Sequence, residues 1–260
     1  MYGAGSQGFA MFADMARVLE QLEQAKGSGR KMLGVLIDPD QGEAASMLER
    51  TVQNACMAKA DILLVGGSLL TSDRFDAVVA QVKRLSDRPV VLFPGSATQV
   101  SGHADALLFL SLISGRNADL LIGQHVVAAP VIKALGLETV PTGYLLVDGG
   151  RPTTASYISQ THPIPHDKPA IAAATALAGE LLGLRCMYLD TGSGAQRTVD
   201  PSMVMAVRKA VKVPLIVGGG IRTRDQVQAL CEAGADMLVV GTAFEQDPEL
   251  IFALSEAVHR

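Results

Sequence analysis

Short, nearly continuous apolar runs alternate along the chain with longer segments in which apolar residues recur every three to four positions. The short runs cover 32–37, 62–65, 90–93, 106–110, 143–147, 187–189, 215–217 and 237–240, each followed by Gly, Asp, Pro or Ser. Strands that are apolar on both faces are those of a parallel sheet covered by helices. Eight of them in 260 residues leave about 32 residues per strand and helix, close to a (β/α)8 barrel of about 250 residues. The pattern predicts an α/β fold in which residues 1–260 form a single (β/α)8 TIM barrel domain. A further helix over about 11–26, with Phe12, Met15, Val18, Leu19 and Leu22 on one face, precedes the first strand and is followed by a Gly27-Ser28-Gly29 linker. Residues 1–30 are therefore expected to modify the barrel with an extra N-terminal helix and linker that close its bottom.

Helix starts fit this arrangement. Thr223 with Gln226 has the spacing of a capping box, and Asp200-Pro201 supplies an N-cap and a first-turn proline. Composition adds three exclusions. Hydrophobic residues make up 48% of the chain and mean hydropathy is +0.28, yet no run approaches the ~20 apolar residues of a membrane span. The N-terminus lacks a basic segment followed by an apolar one, so a soluble, cytoplasmic protein is expected. The net charge of −4 offers no basic surplus for nucleic acid. Cys56, Cys186 and Cys231 are widely spaced among apolar or small residues and read as reduced core thiols.

Barrel enzymes carry their chemistry at the C-terminal ends of the strands. Here those positions read Asp38-Pro39-Asp40, Gly66-Gly67-Ser68, Pro94-Gly95-Ser96, Asp148-Gly149-Gly150, Asp190-Thr191-Gly192-Ser193-Gly194, Gly218-Gly219-Gly220 and Gly241-Thr242. The last three suit a phosphate cradle built from backbone N–H groups, and no Lys or Arg stands within these turns. Asp38 either caps the next helix with Asp40 or joins Ser68 in offering hard oxygens to Mg²⁺. Asp190 either caps its own turn or accepts a proton from a substrate hydroxyl. His162 and His166 are separated by Pro163 and Pro165, which preclude the helix that would align them on a metal.

From Met32 almost to the C-terminus, these and further motifs resemble the geranylgeranylglyceryl phosphate synthase family. The residues that carry the likeness are LIDPD (36–40), LLVGGS (63–68), LFPGS (92–96), GRNADLLIGQHV (115–126), PIPHDKPAIAAATALAG (163–179), YLDTGSGA (188–195), VGGGIR (217–222) and VGTAFE (240–245). The resemblance implies a prenyltransferase of ether phospholipid biosynthesis. Such an enzyme joins a prenyl diphosphate, here expected to be geranylgeranyl diphosphate, to the C3 hydroxyl of sn-glycerol 1-phosphate and releases diphosphate. It further implies Mg²⁺ on Asp38 and Ser68. Glycerol phosphate would be held by Tyr188, Leu189, Asp190, Thr191, Gly192, Ser193, Gly194, Gly219, Gly220, Gly241 and Thr242, with Asp190 as the base. Arg116, Asn117 and His125 fall in a motif of the resemblance and are candidates for binding or closing over the diphosphate.

Two departures stand out. Many relatives carry Glu where Asp190 stands, so the base is one methylene shorter and must approach closer or act through water. Another branch has Lys where this chain has Leu36. The resemblance also implies a homo-oligomer and allows peripheral contact with a membrane. Three alternatives stay open: a longer-chain, heptaprenyl-using synthase, a phosphosugar isomerase or similar phosphate-binding barrel, and a non-catalytic isoprenoid-phosphate binder.

Overall fold

Each apolar run becomes a strand because only parallel pairing under a layer of helices covers both of its faces. In the computed structural model, which describes residues 17–40, 45–241 and 249–260, the strands are β1 (Met32–Ile37), β2 (Ile62–Val65), β3 (Val90–Leu92), β4 (Ala106–Leu112), β5 (Glu138–Leu146), β6 (Cys186–Asp190), β7 (Leu215–Gly218) and β8 (Met237–Val240). They pair in parallel in chain order, and β8 returns to β1 with Met32 opposite Met237, closing the expected barrel. The helices are α1 (Val18–Ser28), α2 (Ala45–Met57), α3 (Phe75–Leu85), α4 (Gln124–Leu135), α5 (Thr154–Ser159), α6 (Pro169–Leu181), α7 (Pro201–Ala210), α8 (Arg224–Glu232) and α9 (Leu250–Val258). A single π-helical turn, Asp119–Gly123, leads into α4.

Strand alternation divides the core into two layers. Met32, Ile62, Leu64, Val91, Leu108 and Tyr188 share the barrel interior, while Leu33, Leu63, Leu107, Met187 and Leu189 pack outward with helix residues such as Val52, Val78, Ala172 and Val204. The side of each strand that faces inward is also the side that opens into the barrel mouth. Along β6 that series is Cys186, Tyr188 and Asp190.

The bottom is closed by α1, whose Val18, Leu22 and Ala25 join the interior layer. Glu138 at the start of β5 accepts the otherwise unpaired N–H groups of Val18 (3.0 Å) and Leu19 (3.1 Å). Residues 11–16 of the expected helix lie outside the described residues. The expected linker is shorter than supposed: Gly27 and Ser28 extend α1, which ends at Gly29 with φ 74°. The strand expected at 143–147 begins instead at Glu138. Pro141 sits within β5 opposite Phe109, and its carbonyl still accepts Arg185 N–H at 2.8 Å, because proline removes a donor and leaves the acceptor. The capping box of Thr223 and Gln226 and the Asp200 cap form as expected.

Candidate functional site

Asp190 is the last residue of β6 and continues the inward-facing series, so its carboxylate stands at the floor of the barrel mouth, 6% exposed. Oδ2 accepts the Tyr144 hydroxyl at 2.7 Å and Oδ1 accepts Gly192 N–H at 2.8 Å. The second bond is the turn-capping role foreseen for this residue, and it leaves the carboxylate lone pairs on both oxygens. Burial pushes the carboxyl above the usual carboxylate range, and the bonds from Tyr144 and Gly192 only partly oppose that. Tyr144, which the sequence reading missed, comes from β5, where it pairs with Tyr188. Tyr188 is 1% exposed and stacks on Phe93, ring centroids 5.1 Å apart. Burial raises both phenols well above their ordinary values, so both are neutral donors.

A cavity of about 50 Å³ opens beside Asp190, several times the ~10–15 Å³ that one water needs. Tyr188, Gly192, Ser193, Gly194, Gly219, Gly220 and Gly241 line it. Among the described residues, the N–H groups of Gly194, Gly219 and Gly220 donate to no protein acceptor. Unengaged backbone donors around a small cavity are the chemistry of an oxyanion site. Gly219 (φ 81°) cannot be replaced without loss: a Cβ there would stand 2.4 Å from Thr191 Oγ1 and 2.7 Å from Asp190 Oδ1.

Thr191 Oγ1 is itself buried without a partner. Leu189, expected in the site, lines neither cavity. Its side chain lies in the helix-facing layer, since alternation sends it away from the mouth when Tyr188 and Asp190 face inward. Thr242 lies outside the described residues. No Lys or Arg stands within these turns, and Arg222, two residues after Gly220, also lines the cradle.

A second cavity, of about 320 Å³, is within the range of small-molecule sites. Its polar end holds Asp38, Gly67, Ser68, Ser96 and Asp190, and its far end runs between β4 and α4 along Leu108, Leu110, Leu112, Ala128 and Ile132. Leu36, Asp190, Gly192, Ser193 and Gly241 border both cavities. The two spaces therefore meet at Asp190.

Asp38 and Ser68 are brought to the same mouth. A Cβ on Gly67 would lie 3.5 Å from Asp38 Oδ1, which already accepts Asp40 N–H at 3.0 Å. Asp40 itself ties down the loop after β2 through Thr71 N–H (2.6 Å), Thr71 Oγ1 (2.9 Å) and Ser72 Oγ (2.7 Å). Burial raises its pKa, but these bonds outweigh burial and hold it below the usual range. One carboxylate and one hydroxyl, with no group of three or more His, Cys, Asp or Glu among the described residues, fit a magnesium ion that draws its other ligands from water and phosphate oxygens.

Arg116 and Asn117 stand away from both cavities. The Arg116 guanidinium donates to the Ile113 and Gly115 carbonyls, and Asn117 Oδ1 accepts Asp119 N–H. His125 does line the larger cavity, at its apolar part, edge-on to Phe109 and 3.1 Å from Ser111 Oγ. Burial lowers its pKa, so it is a neutral ring set in an apolar wall.

Residues 30–258 match the model of the PcrB family. The geranylgeranylglyceryl phosphate synthase of Spirosoma linguale is 55% identical over 240 residues, 91% of this chain and 95% of that protein. The synthase of the same name from Pyrococcus abyssi is 44% identical over 233 residues, 87% of each chain. A crystal structure of (S)-3-O-geranylgeranylglyceryl phosphate synthase from Thermoplasma acidophilum, in complex with its substrate sn-glycerol-1-phosphate, superposes with a TM-score of 0.89 at 34% identity, covering 94% of this chain and 99% of that one.

Proposed function

This chain belongs to the PcrB family and is a geranylgeranylglyceryl phosphate synthase in kind; from that premise we propose how its own residues divide the work. The smaller cavity takes the phosphate of sn-glycerol 1-phosphate on the free N–H groups of Gly194, Gly219 and Gly220. The larger cavity takes a prenyl diphosphate, its chain along the apolar wall of β4 and α4 and its diphosphate at the polar end with Asp38 and Ser68. The single observation that carries this division is Asp190, which borders both spaces.

In the reaction, the C3 hydroxyl oxygen of glycerol phosphate bonds to C1 of the prenyl group. The C1–oxygen bond to diphosphate breaks, its electron pair leaves with diphosphate, and the hydroxyl proton passes to Asp190. Tyr144 and Gly192 N–H hold the carboxylate in place, and burial, by raising its pKa, makes it a stronger proton acceptor than an ordinary carboxylate. Backbone donors fix the phosphate in advance, so that binding supplies the orientation the attack needs. A magnesium ion held by Asp38 and Ser68 would supply charge neutralisation of the leaving diphosphate.

The departure from Glu places the carboxylate on the shorter side chain, and the cradle compensates by lying directly against it: a Cβ on Gly219 would touch Asp190 Oδ1. Leu36, where another branch has Lys, borders both cavities with an apolar side chain. Among the described residues, no helix is long and apolar enough to cross a membrane.

The test is incubation with labelled sn-glycerol 1-phosphate, geranylgeranyl diphosphate and Mg²⁺. A labelled, phosphatase-sensitive ether lipid is expected. Labelled glycerol phosphate left unconverted at saturating prenyl diphosphate contradicts the reading.

A further inference from the structure

Arg222 occupies a position that no step above uses. It follows β7, immediately before the N-cap of α8, and its own N–H is fixed by Gln226 Oε1 at 2.7 Å. Its guanidinium reaches back over the cradle and donates to three carbonyls: Ala195 O at 2.7 Å, and Gln196 O and Gly220 O at 3.4 Å each. Among the described residues it forms no ion pair with a carboxylate. A rigid fork of donors spent on backbone carbonyls in two different loops fixes those loops relative to each other.

The consequence follows from the trans peptide, in which C=O and the next N–H point in opposite directions. With the Ala195 and Gln196 carbonyls turned to Arg222, the N–H groups of Gln196 and Arg197 face away and both bond Gly149 O, at 2.9 and 3.1 Å. With the Gly220 carbonyl turned to Arg222, Ile221 N–H faces away from the guanidinium, and Ile221 lines the cradle. One side chain thus joins the loops after β6 and β7, whose backbone donors line the cavity, and the loop after β6 is in turn held to Gly149 in the loop after β5.

We propose that Arg222 is a positioning residue that sets the geometry of the backbone phosphate cradle, and through it the affinity for glycerol phosphate. The role resides in the shape of the fork rather than in its charge, so lysine cannot replace it. The inference rests on the cradle's being the glycerol phosphate site.

The experiment measures steady-state kinetics for both substrates, and calorimetric titration with sn-glycerol 1-phosphate, in the full chain and in Arg222→Lys and Arg222→Gln. The expected result is a KM and Kd for glycerol phosphate at least about 10-fold higher in both variants. At saturation, kcat and the KM for prenyl diphosphate stay within about threefold of the parent chain. Lysine that restores glycerol phosphate binding overturns the proposal and leaves only a charge effect. Losses shared equally by both substrates, or failure of both variants to fold, also overturn it, because either places Arg222 in the fold rather than the site. Ser193→Asp separates this from the underlying reading, since it sets a carboxylate in the cradle. Unchanged glycerol phosphate binding in Ser193→Asp refutes the cradle itself, whereas loss there with intact binding in Arg222→Lys refutes only the role of Arg222.

Discussion

Replacing Asp190 with Asn removes the proton acceptor and keeps the size and shape of the side chain. The carboxylate accepts two bonds, from Tyr144 at 2.7 Å and from Gly192 at 2.8 Å. In Asn the amide oxygen can keep the Gly192 bond and the amide nitrogen can donate to the Tyr144 oxygen, while the Tyr144 O–H gives up the acceptor it has in the parent chain. General-base catalysis contributes about 10²–10⁴ in rate, and kcat of Asp190→Asn should fall by that factor. Because the phosphate sits on backbone donors, the Kd for glycerol phosphate should change by less than about threefold, or ~0.7 kcal/mol.

Stability supplies a second readout with a defined sign. Burial raises the folded-state pKa of Asp190, so the folded chain holds this proton more tightly than the unfolded one. Asp190 therefore lowers stability as pH rises from the ordinary carboxylate range through its raised pKa. Asp190→Asn is expected to melt at the same temperature as the parent or higher at neutral pH, and that advantage should shrink on acidification. The assays are rapid-quench kinetics, calorimetric binding and thermal melts at several pH values. An unchanged kcat, or a loss of binding as large as the loss of rate, refutes the base assignment.

Other perturbations follow from the same geometry. Tyr144→Phe removes the hydroxyl that holds Asp190 down, so the acid limb of the kcat/KM profile should move to higher pH; an unmoved limb separates Tyr144 from the base. Gly219→Ala forces a Cβ to 2.4 Å from Thr191 Oγ1 at φ 81°. It should cost about 1–2 kcal/mol of folding stability from the backbone alone and abolish calorimetric binding of glycerol phosphate. Retained binding removes the cradle from that role. Asp38→Ala, and chelation of the parent chain, should each suppress turnover while glycerol phosphate still binds, with only the chelated enzyme recovering on added Mg²⁺; full activity in excess chelator rules out the metal.

The barrel was legible because its strands are apolar on both faces and each ends at a polar or glycine residue. That same double-sided burial hid which residues face the mouth: Tyr188 and Leu189 are both buried, and only the sheet register separates the inner from the outer. Asp190 could be picked out because a carboxylate ending a buried strand has few other uses. Tyr144, its partner, could not, since it lies 46 residues away in sequence and meets Asp190 only through the pairing of β5 with β6. Arg222 reads as an ordinary residue at a helix start, and its hold on the carbonyls of Ala195 and Gln196 depends on how two loops meet. The apolar wall beside His125 likewise arises only when α4 packs over β4.

The most direct measurement supplies sn-glycerol 1-phosphate with a ladder of prenyl diphosphates of increasing length, and follows ether product by mass spectrometry together with released diphosphate. One diphosphate per ether lipid is expected, with the highest kcat/KM for geranylgeranyl diphosphate and no product from the sn-glycerol 3-phosphate enantiomer. Diphosphate released without an ether product, or no turnover on any rung of the ladder, would contradict the proposed activity, and a maximum at the heptaprenyl rung would contradict the assigned chain length.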